Sequence, residues 1–251
     1  MKLELNGGEK IYFASDFHLG TPSPEESLKR ELKIVSWLDQ VSSDAKAIFL
    51  LGDQFDFWFE YKYMVPKGFT RFIGKLAELR DKNIMIYFFT GNHDMWMFDY
   101  FPKELGIPVI RKNTQLEVSG KKFLLGHGDG LGPGDLKYKF LKLFFNSKAC
   151  QTMFAFIHPW IGFSIATKWS RSSRLANTIK DEKFLGEKES IWIFCKETEA
   201  REHHDFYIFG HRHLILDLPV GNNSRYINLG EWVTSSTYAS FDGNNFEVKL
   251  A

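Results

Sequence analysis

Five short apolar runs organise this chain, and each stops at residues able to bind a cation or carry a proton. Ile11–Ser15, Ala47–Leu51, Ile84–Thr90, Phe123–Gly126 and Phe206–Gly210 have the length and composition of buried strands. The first runs into Asp16-Phe17-His18 and the second into Gly52-Asp53-Gln54-Phe55-Asp56. The third leads to Gly91-Asn92-His93-Asp94, the fourth to Gly126-His127-Gly128-Asp129, and the fifth to Gly210-His211-Arg212-His213. Open α/β sheets bind ligands beyond the carboxyl ends of their strands. The pattern therefore predicts five ligand-bearing loops gathered on one rim.

Helical patterns separate the runs. Ser23-Pro-Glu-Glu26 has the form of a capping box with Pro at the first helical position, and Leu28, Leu32, Val35 and Leu38 follow at helical spacing. Thr70–Lys82 and Ser190–Glu202 also read as helices. Leu214–Leu218, Arg225–Asn228, Thr237–Phe241 and Phe246–Lys249 read as strands, with turns at Gly221-Asn222-Asn223 and Asp242-Gly243-Asn244. The expectation is a layered α/β protein with mixed central sheets.

The convergent residues are carboxylates, an amide and imidazoles. The two cysteines, Cys150 and Cys195, form no CxxC pair, so a cysteine zinc site is excluded. Such a donor set suits Mn, Fe(II), Zn or Ni. Seven ligands exceed one tetrahedral site, and two ions sharing a carboxylate fit the count. Two metals about 3.5–4 Å apart can clamp the oxygens of an in-line phosphoryl displacement. Taken singly, DxH and GDxxD are common in turns, Asn-His-Asp can cap a helix, and GHRH can be a surface hairpin. Taken together and in order, they are specific.

DFH, GDxxD, GNHD, GHGD and GHRH in this sequence resemble the motifs of the calcineurin-like metallophosphoesterases, over Asp16 to His213. The resemblance implies a layered α/β sandwich with mixed central sheets and a metal-dependent phosphohydrolase. It implies one metal on Asp16, His18, Asp53 and His213, and a second, bridged by Asp53, on Asn92, His127 and His211. It implies two divalent ions, most often Mn2+. His93, paired with Asp56, is implied as the proton donor. Asp94 and Asp129 are candidate acceptors that orient metal-bound histidines. Trp58 and Trp96 are candidates for pocket or core, Arg212 either for a phosphate contact or for pointing away, and His158, His203 and His204 for unspecialised positions, the last two solvated.

A segment with its own character interrupts the motif series. Leu136–Lys180 holds eight basic residues, nine aromatics and no Asp or Glu. The whole chain has a net charge of +1, which leaves −7 for the rest. This predicts a helical cap insertion at 136–180, with the core at 1–135 and 181–251. The insertion and the HGDGLGPGD run before it resemble the UDP-2,3-diacylglucosamine pyrophosphatases of lipid A biosynthesis. That resemblance implies hydrolysis to UMP and 2,3-diacylglucosamine 1-phosphate. It places Asn92, His93, Asp135, Ser173, Asn177, Lys180 and His211 on substrate. Ser173, Asn177 and Lys180 stand at i, i+4 and i+7, on one helical face. One departure is plain: the best-known branch of that family has Arg after the Asn, as GNRD, where this chain has His93.

Ala149–Thr167 is uncharged and aromatic-rich, but Pro159, His158 and Gln151 argue against a membrane span. The two readings are an ordinary helix pair, or an acyl-chain chamber with a membrane-facing surface. MKLELNGGEK has no apolar run, so no signal peptide is visible, and the expected place is the cytoplasm, peripherally on the inner membrane. The alternatives are a metallophosphoesterase for another lipid-nucleotide or phosphodiester, a nuclease, and a noncatalytic scaffold. The near-neutral charge and greasy insertion weigh against nucleic acid.

Overall fold

The computed structural model describes the backbone of residues 1–181 and 183–251, and the side chains of residues 1–170 and 183–251. Two six-stranded mixed sheets face one another. One contains β2 (Lys10–Ala14), β3 (Ala45–Leu51), β4 (Met85–Phe89), β5 (Val109–Ile110), β11 (Thr237–Phe241) and β12 (Phe246–Leu250), in the order β12-β11-β2-β3-β4-β5. The other contains β1 (Lys2–Leu3), β6 (Thr114–Val118), β7 (Lys121–Leu125), β8 (Phe206–Phe209), β9 (Ile215–Pro219) and β10 (Arg225–Leu229), in the order β1-β6-β7-β8-β10-β9.

The predicted runs become neighbours. β2, β3 and β4 are parallel and adjacent in the first sheet, and β7 and β8 are parallel and adjacent in the second. Three ligand loops therefore leave one sheet and two leave the other, all at strand carboxyl ends. Between the sheets pack Phe13, Phe49, Phe123, Ile208, Ile227 and Phe241, all fully buried. Alternate residues of β2 and β3 point outward, and Ile48 and Leu50 meet helices α1 (Pro24–Val41) and α2 (Thr70–Asp81) through Trp37 and Phe72. Helix α7 (Ser190–Glu199) covers the other sheet, with Ile191 and Cys195 against Tyr207 and Tyr226. Apolar surface on both faces of each sheet explains why these strands read as continuous apolar runs.

Helix α1 starts as predicted, with Ser23 Oγ accepting from Glu26 N–H and Pro24 first in the helix. Its buried face does not follow the apolar spacing throughout. Leu28 and Leu32 are exposed, and Arg30 and Glu31 are buried with Ile34, Trp37 and Leu38. The reason is polar. Arg30 Nη2 donates to the carbonyls of His18 (2.6 Å) and Thr21, bracing the first ligand loop. Glu31 Oε1 accepts from Arg71 N–H (2.8 Å) and Phe72 N–H (3.0 Å), at the start of α2. Phe69, the N-cap of α2, makes no side-chain cap bond, so the α1 carboxylate satisfies those donors.

Three elements carry weak sequence signals. Helix α3 (Tyr100–Glu104) is a single turn containing Pro102, β5 has two residues, and β6 buries only one face. The predicted helix at Ser190–Glu202 stops at Glu199. His204 is buried and not solvated, with its ring beside Tyr207, whereas His203 is exposed. Residues 136–181 form α4 (Leu136–Asn146), α5 (Lys148–Ala155) and α6 (Pro159–Asp181). These helices dock through Phe145, Cys150 and Phe154 onto Phe59, Met95 and Trp96. Among the described residues, no helix is long and apolar enough to cross a membrane.

Candidate metal centre

The ligand loops are held in unusual backbone conformations. Asp16, His18, Asp53, His211 and His213 all have φ between 45° and 70°. Non-glycine residues rarely adopt this region, at a cost of about 1–3 kcal/mol each. Five of the ten such residues among those described are thus sequence-predicted ligands. The surroundings enforce the conformation. Asp16 N–H donates to Gly52 O (3.0 Å), His18 N–H to Asp53 O (2.9 Å) and Gly210 N–H to His127 O (2.9 Å). His211 N–H donates to Asp16 Oδ2 (3.0 Å) and ties the rims of the two sheets together. Gly52 has φ +93°, and a Cβ there would stand 2.6 Å from His127 Nδ1. At Gly91 a Cβ would overlap the Asp53 carboxylate.

Two clusters of donor atoms share Asp53. In one, His18 Nε2 lies 3.1 Å from His213 Nε2, which is 3.2 Å from Asp16 Oδ1. In the other, His127 Nε2 lies 3.3 Å from Asp53 Oδ2 and 3.2 Å from Asn92 Oδ1. Asp53 Oδ2 is also 3.9 Å from His18 Nε2, so this oxygen faces both clusters. His211 adds its ring beside that of His127, with centroids 5.2 Å apart. All seven predicted ligands are therefore brought together.

Donor chemistry says what belongs between them. His127 Nδ1 lies 2.8 Å from Leu51 O, a pure acceptor, so Nδ1 carries the proton. The lone pair of neutral Nε2 then points at two oxygens that are also acceptors. Asp16 Oδ1 is buried with no hydrogen-bond partner. A cation about 2.0–2.2 Å from each donor places its ligands about 3.0–3.5 Å apart, the spacing found here. The residues fit divalent ions.

The charges lead to the same conclusion. Burial alone would lower the His127 pKa, but the Asp53 carboxylate outweighs it and holds the imidazole near pKa 10. Without a metal, a proton fills the role of the cation. Burial opposes ionisation of Asp53 as well, yet the surrounding imidazoles keep its pKa well below the usual carboxylate range. Burial, with the neighbouring His127, lowers His211 to about 4, and a neutral imidazole is the form that ligates.

The other predicted residues divide. His93 sits 4.9 Å from the His18 ring, and its backbone N–H donates to Asp53 Oδ1 (2.8 Å). Its Nδ1 is 3.0 Å from Asp56 O and 3.7 Å from Asp56 Oδ1. Asp135 is exposed, with φ 48°, at the start of α4. The side chains of Ser173, Asn177 and Lys180 lie outside the described residues. Two expectations are corrected, those for Asp94 and Asp129. Asp94 orients no histidine. It accepts from the backbone N–H of Gln54 (2.7 Å) and Gly91 (2.7 Å), which shapes the Asp53 loop. Asp129 bonds to Tyr138 and Lys142 and to no histidine ring. Arg212 makes a fork with buried Glu189, at 2.9 Å from Nε and from Nη2.

One further residue had no local sequence signal, and one expected feature takes shape beside it. Ser170 of α6 reaches His93 and Asp56. A cavity of about 320 Å³ opens beside Asp56, Asn92 and His93, and its far walls are Trp96, Phe145, Phe154, Ile157, Ile165 and Trp169. Trp58 also borders it, although its ring is fully buried.

The calcineurin-like phosphoesterase family model matches residues 9–214. The chain is 40% identical over 253 residues to a UDP-2,3-diacylglucosamine hydrolase of Porphyromonas gingivalis, covering 96% of this chain and 97% of that protein. It is 27% identical to a protein of the same description from Vibrio atlanticus, covering 96% of each. A Thermotoga maritima protein solved in solution is similar at 16% identity with a TM-score of 0.44, over 97% of this chain and 99% of that one.

Proposed function

The chain belongs to the calcineurin-like phosphoesterase family, and from that premise we propose that it hydrolyses UDP-2,3-diacylglucosamine to UMP and 2,3-diacylglucosamine 1-phosphate, a step of lipid A biosynthesis. Water adds across the pyrophosphate: a P–O bond forms from the water oxygen and the bridging P–O bond breaks. The cavity carries the reading. It is apolar and aromatic, it is walled by the helices of residues 136–170, and it opens at Asn92 and His93. A nucleic-acid groove needs cations along the backbone, and among the described residues this lining includes no Lys or Arg. An acyl chain suits such walls, at about 0.8 kcal/mol per buried methylene. In this reading 136–180 is a cap on a core formed by 1–135 and 181–251.

Asp16, His18, Asp53 and His213 would hold one divalent cation, and Asp53, Asn92, His127 and His211 a second. The oxygen and imidazole donor set without thiolate suits Mn, Fe(II), Zn or Ni, and resemblance to the family makes Mn2+ the proposed ion. When bound, such ions supply Lewis-acid polarisation of phosphoryl oxygens and lower the pKa of water. The chain's own residues do the rest. His93 is the proton donor to the leaving phosphate oxygen, with Asp56 behind its Nδ1. By resemblance, Asp135, Ser173, Asn177 and Lys180 bind the sugar phosphate, Lys180 with a positive charge. Exposed Phe140, Phe156 and Trp160, with Lys137, Lys148 and Lys168, would set the cap on an anionic bilayer on the cytoplasmic side.

The test is UMP release from UDP-2,3-diacylglucosamine by the purified, Mn2+-loaded protein. Turnover supports the reading. Hydrolysis of bis-p-nitrophenyl phosphate with none of the lipid nucleotide would overturn the substrate and keep the phosphoesterase.

A further inference from the structure

His93 and Asp56 do not meet directly through their side chains. The carboxylate Oδ1 is 3.7 Å from the ring Nδ1, beyond hydrogen-bond range. A third group stands between them. Ser170 Oγ is 2.9 Å from Asp56 Oδ1 and 3.1 Å from His93 Nδ1, and the serine is 5% exposed. We propose that Ser170, supplied by helix α6, is a positioning residue for His93: it fixes the imidazole's tautomer and orientation and couples the docking of residues 136–181 to the catalytic loop. The proposal rests on the reading of His93 as the proton donor.

The hydrogen-bond directions support one assignment. Nδ1 faces the Asp56 carbonyl at 3.0 Å, and a carbonyl only accepts, so Nδ1 carries the proton. An ionised Asp56 carboxylate only accepts, so the Ser170 hydroxyl gives its proton to Oδ1. Its lone pairs then face the His93 Nδ1–H. This order leaves Nε2 as the atom that gains and delivers the mobile proton. The ring is wedged edge-on against His18, and its own backbone N–H grips the bridging carboxylate of Asp53 at 2.8 Å. The ring of His93 thus contacts one proposed metal ligand, His18, and its backbone another, Asp53.

Another serine on the same helix shows the alternative. Ser164 turns its hydroxyl back to Trp160 O at 2.7 Å, as helical serines often do. The Ser170 hydroxyl instead crosses to two residues 114 and 77 positions away. It does so beneath the wall of the apolar cavity, next to Trp169, which lines it with Ser170. A ligand that seats α6 would thereby seat the imidazole.

Ser170→Ala and Ser170→Thr in the Mn2+-loaded protein test this on two diesters. Diphenyl phosphate has a poor leaving group that needs a proton, and bis-p-nitrophenyl phosphate has a good one that hardly does. We expect Ser170→Ala to lower kcat on diphenyl phosphate by about 10–100-fold. That loss should exceed the loss on bis-p-nitrophenyl phosphate by about tenfold, with KM little changed, and Thr should restore most of it. In a His93→Gln background the Ser170→Ala change should add nothing. In the metal-free protein, nitrogen-15 histidine NMR should show a protected His93 Nδ1 proton in the wild type and the Thr variant, exchanging with solvent in the Ala variant. Equal losses on both diesters, additivity with His93→Gln, or an unaltered Nδ1 proton in Ser170→Ala would each refute the role. Turnover of the diesters without turnover of the lipid nucleotide would remove the proposed substrate and leave the Ser170 result standing.

Discussion

Asp53 places one carboxylate oxygen 3.3 Å from His127 Nε2, and that same oxygen faces His18 Nε2 on the other side at 3.9 Å. A single atom therefore joins ligands that come from different sheets. Asp53→Asn keeps the shape, removes the charge, and should damage both halves together. We expect bound metal to fall below one ion per chain, and kcat to fall by at least about 10²-fold, since preorganised charge stabilisation is of that order. Elemental analysis after gel filtration and a diester assay measure the two effects. Retention of two ions would show that Asp53 does not bridge.

Protons compete with metal at His127. Its pKa in the metal-free fold is near 10, set by burial against the stronger pull of Asp53. A raised imidazole pKa contributes stability that is complete below the unfolded value of about 6.5 and is lost as pH climbs to about 10. Asp53 has the opposite sign: its depressed pKa contributes above about 3.8, and that contribution is lost on acidification. In EDTA, the urea midpoint contributed by this pair should thus decline from about pH 6.5 upward. Metal affinity should rise over the same interval, because a ligating nitrogen must first lose its proton. Calorimetric titration with Mn2+ in buffers of different ionisation enthalpy would count the released proton. A flat affinity from pH 6.5 to 9 would contradict the assignment.

The site was legible because its chemistry follows directly on buried strands. An apolar run that ends in Asp16 or His127 announces both its strand and its ligand. What was not legible depends on partners distant in the chain. Helix α1 looked as if it faced the core through Leu28 and Leu32, whereas it buries Arg30 and Glu31 because two other loops need a donor and an acceptor there. Asp94 looked like a histidine's partner, yet the Asp53 loop needed its backbone N–H groups satisfied first. Arg212 lies within a ligand motif and could be read either way, and only the fold shows its guanidinium paired with buried Glu189. Ser170 has no signature at all, since nothing local shows which way one hydroxyl on a helix will point.

The Glu31 cap yields a stability prediction separate from the chemistry. Its carboxylate is buried and accepts from the N–H groups of Arg71 and Phe72. Glu31→Ala leaves both donors without it and should cost about 1–3 kcal/mol in urea unfolding. Glu31→Gln, which keeps an acceptor oxygen, should cost less. Metal content should match the wild type in both, because Glu31 touches none of the ligands. An unchanged midpoint for Glu31→Ala would mean that solvent satisfies the start of α2 instead.

The cavity predicts a separation of binding from chemistry. Trp169 forms part of its wall yet is 56% exposed, so its loss should open the chamber with little strain on the fold. Trp169→Ala should raise KM for UDP-2,3-diacylglucosamine by about tenfold, the worth of about 1.4 kcal/mol of lost contact. kcat on the same substrate should fall much less. Shortening the acyl chains should narrow the difference between the two proteins, because a shorter chain leaves the wall untouched. An equal KM for wild type and variant at every chain length would place the acyl groups elsewhere.

The cap's outer surface makes a prediction that does not depend on turnover. Phe140 is 74% exposed, Leu143 73%, Phe156 87% and Trp160 74%, and all four lie on α4, on α6 or between α5 and α6. Exposed apolar side chains in this density are costly in water and suit an interface. Lys137, Lys148 and Lys168 are exposed among them, and the segment that carries them has no carboxylate. Each basic residue near an anionic surface is worth about 1 kcal/mol, and that attraction is screened over about 10 Å at 0.1 M salt. The metal-free protein should therefore co-sediment with phosphatidylglycerol vesicles and much less with phosphatidylcholine, and salt should release part of it. Replacing the three lysines with Gln should weaken binding by about 100-fold and reduce the salt dependence. Phe140→Glu with Trp160→Glu should weaken binding at every salt concentration, because the apolar contribution is not screened. If both sets of variants bound anionic vesicles as tightly as the wild type, the exposed aromatic residues would have to serve the lipid substrate alone, and the bilayer would have no part in holding the enzyme.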